Sequence, residues 1–207
     1  MMILPDHKAV FVSTPRSGTH TMYKLLAEQY GGQRYGDFHA VCKPSHCAGW
    51  LVFTTCRNPF TRAVSIWWWG TRQTRESNRD RIIRGAGGDG FKAFCKWLIS
   101  PMFRPWYATQ PQVHWHNRFR PSLVLRLENL AEDLQKLPFY TGGEIPHECR
   151  SEHPGAAQVM TPAAETDILK WANDDFKRFG YGRKWAGSET NALGESTKMV
   201  GDRSLDR

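Results

Sequence analysis

Apolar and polar positions along the chain form a pattern that predicts strands followed by helices. Two apolar runs, at residues 9–13 and 50–56, have the length of buried strands, and a third strand is predicted over 122–129. A further short strand is predicted within 34–41. Because these strands alternate with helical segments, the pattern predicts an α/β domain with a central, mainly parallel sheet.

Helices are predicted where apolar residues recur every three or four positions. In chain order, the predicted helical segments are 18–30, 58–69, 91–99, 130–137 and 161–180. Asn58 is a suitable N-cap for the second of these helices, with Pro59 at its first position. Residues 71–90 and 101–121 show no such periodicity, so we expect a mobile loop and an irregular segment there.

The length and composition of the chain indicate one compact domain. Of its 207 residues, 40% are hydrophobic, which is enough for a core. We assign residues 1–186 to this domain and expect the polar, aperiodic segment 187–207 to be a disordered tail. No apolar run is long enough to span a membrane, and the N-terminus lacks a secretory pattern. The five cysteines have no regular spacing, which suits a reducing compartment, so a cytoplasmic protein is expected.

The net charge of +8 indicates an acidic partner or a solubilising surface. Acidic partners of basic chains include nucleic acid, membrane surfaces and phosphorylated or sulfated ligands. Arginines are concentrated in residues 71–84, but aromatic residues do not interleave this run, which argues against single-stranded nucleic acid. The run itself is interpreted as a solvated loop, with a lid or an attractor for an acidic ligand as the alternative.

Residues 11–21, FVSTPRSGTHT, carry the first candidate chemistry. A strand enters a turn of small residues with one cation, and a helix follows, so that helix N–H groups and the helix dipole favour an anion. Arg16 adds a planar guanidinium, and Gly18 allows backbone to approach a ligand closely. Hydroxyl groups come from Ser17, Thr19 and Thr21. The segment predicts a site for a phosphate or sulfate ester, and an ordinary strand–helix turn is the alternative.

The same segment departs from the loop that binds nucleoside triphosphates, Gly-x4-Gly-Lys-[Ser/Thr]. No glycine opens it, and no lysine follows Gly18. A P-loop-type nucleotide-dependent kinase therefore loses its main support, and it stays as an alternative function. A non-enzymatic basic binding module is the other alternative.

Residues 57–65, RNPFTRAVS, form a second constellation. Arg57 follows the predicted strand 50–56, and Ser65 lies about two turns into the next helix. Both side chains are expected at the same sheet edge as the first loop, where they would form a second, separate anion site. A surface arginine and a solvent-facing serine are the bland alternative, but a ligand with a phosphate-type group at each end would span the two sites.

PRSGTHT followed by RNPFTRAVS resembles the sulfotransferase family that uses 3′-phosphoadenosine 5′-phosphosulfate (PAPS). LRLENLAEDL and DDFKRFGYG resemble further segments of its bacterial and carbohydrate-type members, so the resemblance covers about residues 9–182. It implies a three-layer, P-loop-like sulfotransferase fold and a PAPS-dependent sulfotransferase. The 5′-phosphosulfate would be held by Arg16, Ser17, Gly18, Thr19, His20 and Thr21. The 3′-phosphate would be held by Arg57 and Ser65.

The resemblance further implies in-line transfer of a sulfuryl group to a hydroxyl acceptor, with Arg16 stabilising charge on the leaving oxygen. The acceptor stays open, with a saccharide as one candidate, and none of the tryptophans is singled out for binding it. A base must take the acceptor proton, and His39 is the predicted catalytic histidine with His46 as its rival. Glu128 is expected to brace the site, and a role as the base is its alternative.

No metal is required by this chemistry. His39, Cys42, His46 and Cys47 are close in the sequence, but their spacing is irregular and no second ligand pair follows. We therefore predict no zinc site and no other metal site.

Overall fold

A computed structural model describes residues 1–37, 39, 43–72, 76–103, 105–146 and 154–185. Within them, five strands form one sheet: β1 (Met2–Leu4), β2 (Ala9–Val12), β3 (Gln33–Arg34), β4 (Leu51–Cys56) and β5 (Leu123–Arg126). Their spatial order is β3-β1-β2-β4-β5. The β2–β4 and β4–β5 pairs are parallel, whereas β1 is antiparallel to both β2 and β3. The sheet is therefore mixed, and the prediction of a mainly parallel sheet is correct only for β2, β4 and β5.

The antiparallel part of the sheet arises from a tight reversal near the N-terminus. Residues Pro5–His7 form a 3-10 turn, and Lys8 has a left-handed backbone with φ of 46°. Proline lacks the N–H that a strand would donate, so the chain turns at this point and returns as β2. This arrangement buries Leu4 beside β2, the central strand. It also forms β1 at a place where the sequence pattern predicted no strand.

The three parallel strands end at the same edge of the sheet. Val12 pairs with Thr54, and Cys56 pairs with Arg126, so the chain leaves β2, β4 and β5 in the same direction. We call this side of the sheet the carboxyl edge. The loops that follow β2 and β4 are neighbours there because β2 and β4 are adjacent strands.

Nine α-helical segments occur in the described part of the chain. They are α1 (Thr19–Tyr30), α2 (Pro59–Arg72), α3 (Glu76–Ala86), α4 (Phe91–Leu98), α5 (Gln112–Phe119), α6 (Leu130–Asp133), α7 (Ala156–Val159), α8 (Pro162–Trp171) and α9 (Asn173–Phe179). Asn58 caps α2 as predicted, since its side-chain oxygen accepts from the Phe60 N–H at 2.9 Å. Thr161 caps α8 in the same way through the Ala164 N–H at 3.2 Å.

Helices cover both faces of the sheet, as expected for an α/β domain. On one face, buried residues of α1 and α6 such as Leu25 and Leu130 pack against Phe11 of β2. On the opposite face, Val10 and Val52 pack with Phe119 of α5. A third core contains residues of α2, α3, α4, α8 and α9 and none from a strand. This helical core carries α2, whose first residues lie at the carboxyl edge.

Two segments predicted to be irregular contain helices. Residues 71–90 hold the end of α2 and all of α3, and residues 101–121 hold α5. In α3 the buried Ile82 packs closely against Gly70 of α2. A Cβ at position 70 would lie only 2.2 Å from the Ile82 Cδ1. Burial of one apolar residue on a neighbouring helix thus stabilises a segment whose overall composition is polar.

Other boundaries also differ from the predictions. The strand predicted within 34–41 is reduced to β3, and residues 38, 40 and 41 lie outside the described residues. The single helix predicted over 161–180 is two helices, because the backbone at Ala172 leaves the helical region with φ of −109° and ψ of 26°. The predicted tail, residues 187–207, lies outside the described residues.

Candidate functional site

The loop after β2 turns through two residues with left-handed backbone conformations. Arg16 has a φ of 64° and Gly18 a φ of 80°, and Gly18 is the N-cap of α1. The Thr14 carbonyl oxygen accepts from the Ser17 N–H at 3.3 Å and from the Thr19 hydroxyl at 3.1 Å. These two bonds between near neighbours close the loop on itself.

Glycine is required at position 18 for two reasons. Its φ is rare for residues with a side chain, and a Cβ there would lie 2.5 Å from Leu127 Cδ1. The first turn of α1, at Thr19, His20 and Thr21, has N–H groups without acceptors inside the helix. These N–H groups and the helix dipole face the carboxyl edge, where they favour an anion.

The hydroxyl groups of the loop are directed mostly inward. Ser17 is fully buried and donates to Gln112 Oε1 at 3.0 Å, and the buried Thr19 donates to Thr14. The Thr21 side chain is half-buried, and the His20 side chain is exposed. In this structure Ser17 and Thr19 therefore shape the loop with their side chains, and Thr19 offers an anion its backbone N–H group.

Arg57 directly follows β4 and lies beside the first loop. Its Nε donates to Thr61 Oγ1 at 3.1 Å, and its Nη1 donates to the Arg16 carbonyl oxygen at 3.4 Å. Burial lowers the pKa of Arg57, and the nearby Glu128 carboxylate acts in the opposite direction. At an arginine this change leaves the guanidinium charged near neutral pH, so the site carries a half-buried cation.

The two predicted anion sites touch each other. Arg16 donates from Nε and from Nη2 to Ser65 Oγ, at 3.1 and 2.9 Å, although the sequence assigned these two residues to different sites. The Arg16 guanidinium also lies 5.4 Å from the ring centre of Trp69, one helical turn after Ser65. Arg16, Arg57 and Ser65 are therefore neighbours at the carboxyl edge, where Ser65 is buried and the two arginines are partly exposed. We call this cluster the cationic groove, and in it the two sites adjoin where separated sites were expected.

Gln112, at the start of α5, connects the two segments. Its Oε1 accepts from Ser17 Oγ at 3.0 Å and from the Arg57 N–H at 2.8 Å. Its Nε2 donates to the Arg57 carbonyl oxygen at 2.8 Å and to Asp175 Oδ2 at 3.3 Å. Asp175, which is fully buried, also accepts from the backbone N–H groups of Gln112 and Val113, both at 2.8 Å. Gln112 thereby determines the separation of the two cationic segments.

Arg62 is a fully buried cation beneath the site. Its Nε donates to the Pro15 carbonyl oxygen at 3.1 Å, and its Nη2 donates to those of Ala108 and Gln110 at 3.1 and 2.9 Å. Burial lowers the pKa of Arg62 to about 10, and Asp175 is the main opposing charge. A cation held this way joins the first loop to residues 108–110, so its role is structural support.

Glu128 braces the site, in agreement with its expected role. Its Oε1 accepts from the Asn58 N–H at 2.7 Å, and its Oε2 accepts from the Tyr181 hydroxyl at 2.9 Å. The Tyr181 hydroxyl also lies 3.3 Å from Cys56 Sγ at the end of β4. The segment after α9 is thus hydrogen-bonded to the start of α2.

His39 lies next to the first loop. Its Nδ1 is 3.1 Å from Ser13 Oγ and 3.3 Å from the Ser13 carbonyl oxygen. A hydrogen bond from Nδ1 to that carbonyl oxygen selects the tautomer in which Nε2 carries the lone pair. Burial lowers the pKa of His39 to about 4, so the ring is neutral near pH 7 and can accept a proton at Nε2.

His46, the rival histidine, lies near the amino end of β4, opposite the carboxyl edge. It is exposed and makes an edge-on contact with Trp50, with ring centres 6.1 Å apart. Trp50 immediately precedes β4, so this contact is at the amino end of the strand whose carboxyl end carries Arg57. Of these two candidate bases, the structure places His39 beside the cationic groove and His46 away from it.

A row of aromatic rings borders the groove between Arg16 and His39. The Trp69 and Tyr107 ring centres are 6.3 Å apart, and those of Tyr107 and His39 are 5.3 Å apart. The ring of the buried Trp115 is 5.9 Å from that of His39. Together, Trp69, Tyr107, His39 and Trp115 form what we call the aromatic row.

Four residues of this region were missed by sequence reasoning: Gln112, Asp175, Arg62 and Tyr107. Asp175 and Arg62 gave a weak signal, because a charged residue on the apolar face of a predicted helix needs a buried partner. Gln112 and Tyr107 gave none, since they lie in a segment that was interpreted as irregular.

Within the described residues, no group of three or more histidine, cysteine, aspartate or glutamate side chains is arranged to hold a metal ion. Cys42 lies outside these residues. None of the described helices is both long enough and apolar enough to cross a membrane.

Comparisons with known proteins do not identify the chain. No protein-family model, no curated protein and no solved structure matches it significantly. Functional inference therefore depends on the geometry of the site itself.

Proposed function

We propose that this protein is a PAPS-dependent sulfotransferase with a P-loop-like sulfotransferase fold, which transfers a sulfuryl group to a hydroxyl acceptor. One observation carries the proposal. Arg16 of the first loop bonds directly to Ser65 of α2, and Arg57 bonds to the backbone of Arg16. Two cationic segments, separate in sequence, thus form one groove at the carboxyl edge of the sheet.

The donors in this groove suit a ligand with two anionic groups. Planar guanidinium groups bind phosphate and sulfate oxygens in pairs, and the N–H groups at the start of α1 add further donors. When bound, PAPS supplies the sulfuryl group together with a phosphate at each end of the nucleoside. Residues 16–21 would hold its 5′-phosphosulfate, and Arg57 with Ser65 would hold its 3′-phosphate.

Arg16 has the position required to stabilise charge on a leaving oxygen. Its guanidinium lies at the junction of the two predicted subsites, bonded to Ser65 Oγ. A hydroxyl group can accept from Arg16 and donate its own hydrogen to an anion at the same time. Arg16 and the N–H groups of α1 together provide fixed positive charge, which is the form of stabilisation that most accelerates group transfer.

His39 is the proposed base. Its Nδ1 is held by Ser13, so its Nε2 is the atom that takes the proton from the acceptor hydroxyl. The low pKa of about 4 keeps the ring neutral at physiological pH, which is the state that a base needs. A depressed pKa also makes the ring a weak base, so His39 contributes more by orienting the hydroxyl than by its basicity.

A thermal-shift comparison tests the proposal with nucleotides alone. We expect 3′,5′-ADP to stabilise the protein more than 5′-AMP or ATP with magnesium, because only 3′,5′-ADP can bind both cationic segments. The substitution Arg57→Ala should abolish this preference. Arg84→Ala is the matched control, since Arg84 is exposed on α3 and donates to a carbonyl oxygen of its own helix.

Three results would contradict the proposal. The first is an equal response to all three nucleotides. The second is a preference for ATP with magnesium, which would favour a kinase. The third is a preference for 3′,5′-ADP that persists in Arg57→Ala, because the second site would then be somewhere else.

A further inference from the structure

Tyr107 is an exposed aromatic residue on a rigid turn. Its side chain is 41% exposed, in contrast to Trp106 beside it, which is buried. The turn is closed by a bond from the Trp106 N–H to Thr109 Oγ1 and by one from the Thr109 N–H to the Trp106 carbonyl oxygen, both 3.0 Å. The buried Arg62 fixes the same turn by donating to the Ala108 carbonyl oxygen at 3.1 Å.

Trp69 is held with comparable rigidity. It lies in the last turn of α2, and its indole ring is only partly buried. The Arg16 guanidinium approaches it on one side at 5.4 Å, and Tyr107 approaches it at 6.3 Å with the two rings nearly perpendicular. The two rings are thus fixed relative to each other by a helix and an anchored turn.

The aromatic row lies where an acceptor must bind. The charge that grows on the leaving oxygen is stabilised at Arg16, and the acceptor proton is taken at His39. Trp69 contacts Arg16 and Tyr107 contacts His39, so these two rings flank the path between the two functional groups. A molecule presenting its hydroxyl to His39 would lie against them.

We propose that Trp69 and Tyr107 form a platform for a sugar ring of the acceptor, which stacks on Tyr107 and is flanked by Trp69, with one hydroxyl directed to His39. This inference rests on the proposed sulfotransferase function and adds the residues that would recognise the acceptor. Rigid indole and phenol rings provide flat contact area at low entropic cost, and their polar ends can bond to hydroxyl groups.

The openness of the platform favours a saccharide over a phenol or another small apolar alcohol. Binding sites for such compounds enclose most of the ligand in apolar surface. Here Tyr107 is 41% exposed, and the polar groups beside the two rings are Arg16 and His39. A sugar ring has an apolar C–H face for the aromatic rings and equatorial hydroxyl groups for the polar ones, so its chemistry matches this mixed surface.

Saturation-transfer NMR tests the inference without relying on turnover. The probes are cellotetraose, N-acetylchitotetraose and a hyaluronan tetrasaccharide, each added to the full chain in the presence of 3′,5′-ADP, with 2-naphthol as the phenolic comparison. We expect saturation of ring C–H protons in at least one tetrasaccharide. Tyr107→Ala should weaken the binding of that saccharide about tenfold, whereas Tyr107→Phe, which retains the ring, should keep most of the affinity.

Tyr35→Ala is the matched control, because Tyr35 is the same residue type with nearly the same exposure, 40%, and lies beside the edge strand β3. It should leave saccharide binding unchanged. Calorimetry with 3′,5′-ADP on every variant shows whether the cationic groove is intact. Tyr107→Ala should change the affinity for 3′,5′-ADP less than about twofold.

The results separate the two proposals. If the wild-type protein does not bind 3′,5′-ADP, the sulfotransferase proposal fails. Suppose instead that it binds 3′,5′-ADP, but that saturation transfer is seen only for 2-naphthol or for none of the probes. The saccharide platform is then overturned while the sulfotransferase proposal stands. Saccharide binding that is the same in Tyr107→Ala as in Tyr35→Ala would also overturn the platform.

Discussion

The loop after β2 and the segment after β4 both present a cation at the carboxyl edge, but they acquire their shapes differently. The first loop closes through bonds between near neighbours, such as that from Thr19 to Thr14, five positions apart. The second segment is placed by remote residues. Gln112, 55 positions from Arg57, bonds to both the N–H and the carbonyl oxygen of Arg57. Glu128, 70 positions from Asn58, accepts from the Asn58 N–H at the start of α2.

This difference teaches which part of the groove is sensitive to distant changes. The first loop also has remote partners, Gln112 for Ser17 and Arg62 for Pro15, but bonds between its own residues close it as well. A segment held by remote side chains depends on the packing of α5 and α9, which supply Gln112 and Asp175. We therefore expect distant substitutions to alter the relation between the two cationic segments more than the anion-binding loop itself.

The largest effect is expected for Gln112→Leu, which removes the bridge between the segments. Leucine cannot replace the side-chain bonds to Ser17 Oγ and to the Arg57 N–H and carbonyl oxygen, and it leaves these groups without those partners. Asp175 loses one bond but keeps those from the backbone N–H groups of residues 112 and 113. The free energy of unfolding should fall by about 3 kcal/mol. In the folded fraction, the preference for 3′,5′-ADP over 5′-AMP should be lost, because the separation of the two cations is no longer fixed.

Chemical denaturation and nucleotide titration measure the two effects. Gln135→Leu serves as the control, since Gln135 is exposed. A Gln112→Leu protein that kept the wild-type ratio of the two nucleotide affinities would show that Gln112 supports stability without setting the separation.

Ser65→Ala tests the contact between the two segments with a smaller change. Ser65 is buried, so alanine fits its position, but Arg16 loses the acceptor for two of its bonds. We expect calorimetry to show about a tenfold loss of 3′,5′-ADP affinity and little change for 5′-AMP. Ser45→Ala, in the turn on the opposite edge, is the control. An equal loss for both nucleotides would mean that Ser65 does not belong to a second subsite.

A comparison of Arg16→Gly with Arg16→Ala isolates the backbone strain of the first loop. Both variants lose the guanidinium, but only glycine adopts the φ of 64° without a steric penalty. Glycine also makes the unfolded chain more flexible, which offsets part of the gain. Arg16→Gly should therefore be more stable than Arg16→Ala by about 0.5–1 kcal/mol in thermal or urea unfolding. Equal or lower stability would show that position 16 is not held in this conformation.

The effect that is smallest near neutral pH is a change in acid sensitivity at His39. Burial lowers the pKa of His39 from 6.5 to about 4, so between these pH values the unfolded chain binds a proton that the folded chain does not. The stabilising contribution is complete above pH 6.5 and decreases as the pH falls toward 4.

His39→Gln should therefore make the melting temperature fall less steeply over this interval than it does in the wild-type protein. His46→Gln, on the opposite edge of the sheet, is the matched control. If both variants show the wild-type slope, His39 titrates at the same pH in the folded and unfolded chains.

The elements with strong, continuous patterns were predictable. The strands around residues 9–13 and 50–56 and the cap at Asn58 appear as expected, because apolar runs and capping residues act locally. The helices α3 and α5 were not predictable in this way. Their stability depends on burying a few residues, Ile82 and Trp115 among them, against partners that are distant in the sequence.

For the candidate site, the same distinction applies. Arg16, Gly18 and Arg57 could be selected from the sequence because each stands at a strand–helix junction. The contact of Arg16 with Ser65 was not foreseen, since it joins residues 49 positions apart. The choice of His39 over His46 as the histidine beside the groove also required the structure. The two are only seven positions apart in sequence, but they lie at opposite ends of the parallel strands.

The sequence by itself determined that two strand–turn–helix units would each present a cation at a helix start, because strands, caps and turn glycines are encoded by contiguous residues. Only the tertiary structure decided that these cations share one groove, that Gln112 and Asp175 join them, and that aromatic rings flank the path from Arg16 to His39. Hydrogen bonds and ring contacts between remote residues exist only once the helices have packed, and packing depends on the whole chain at once.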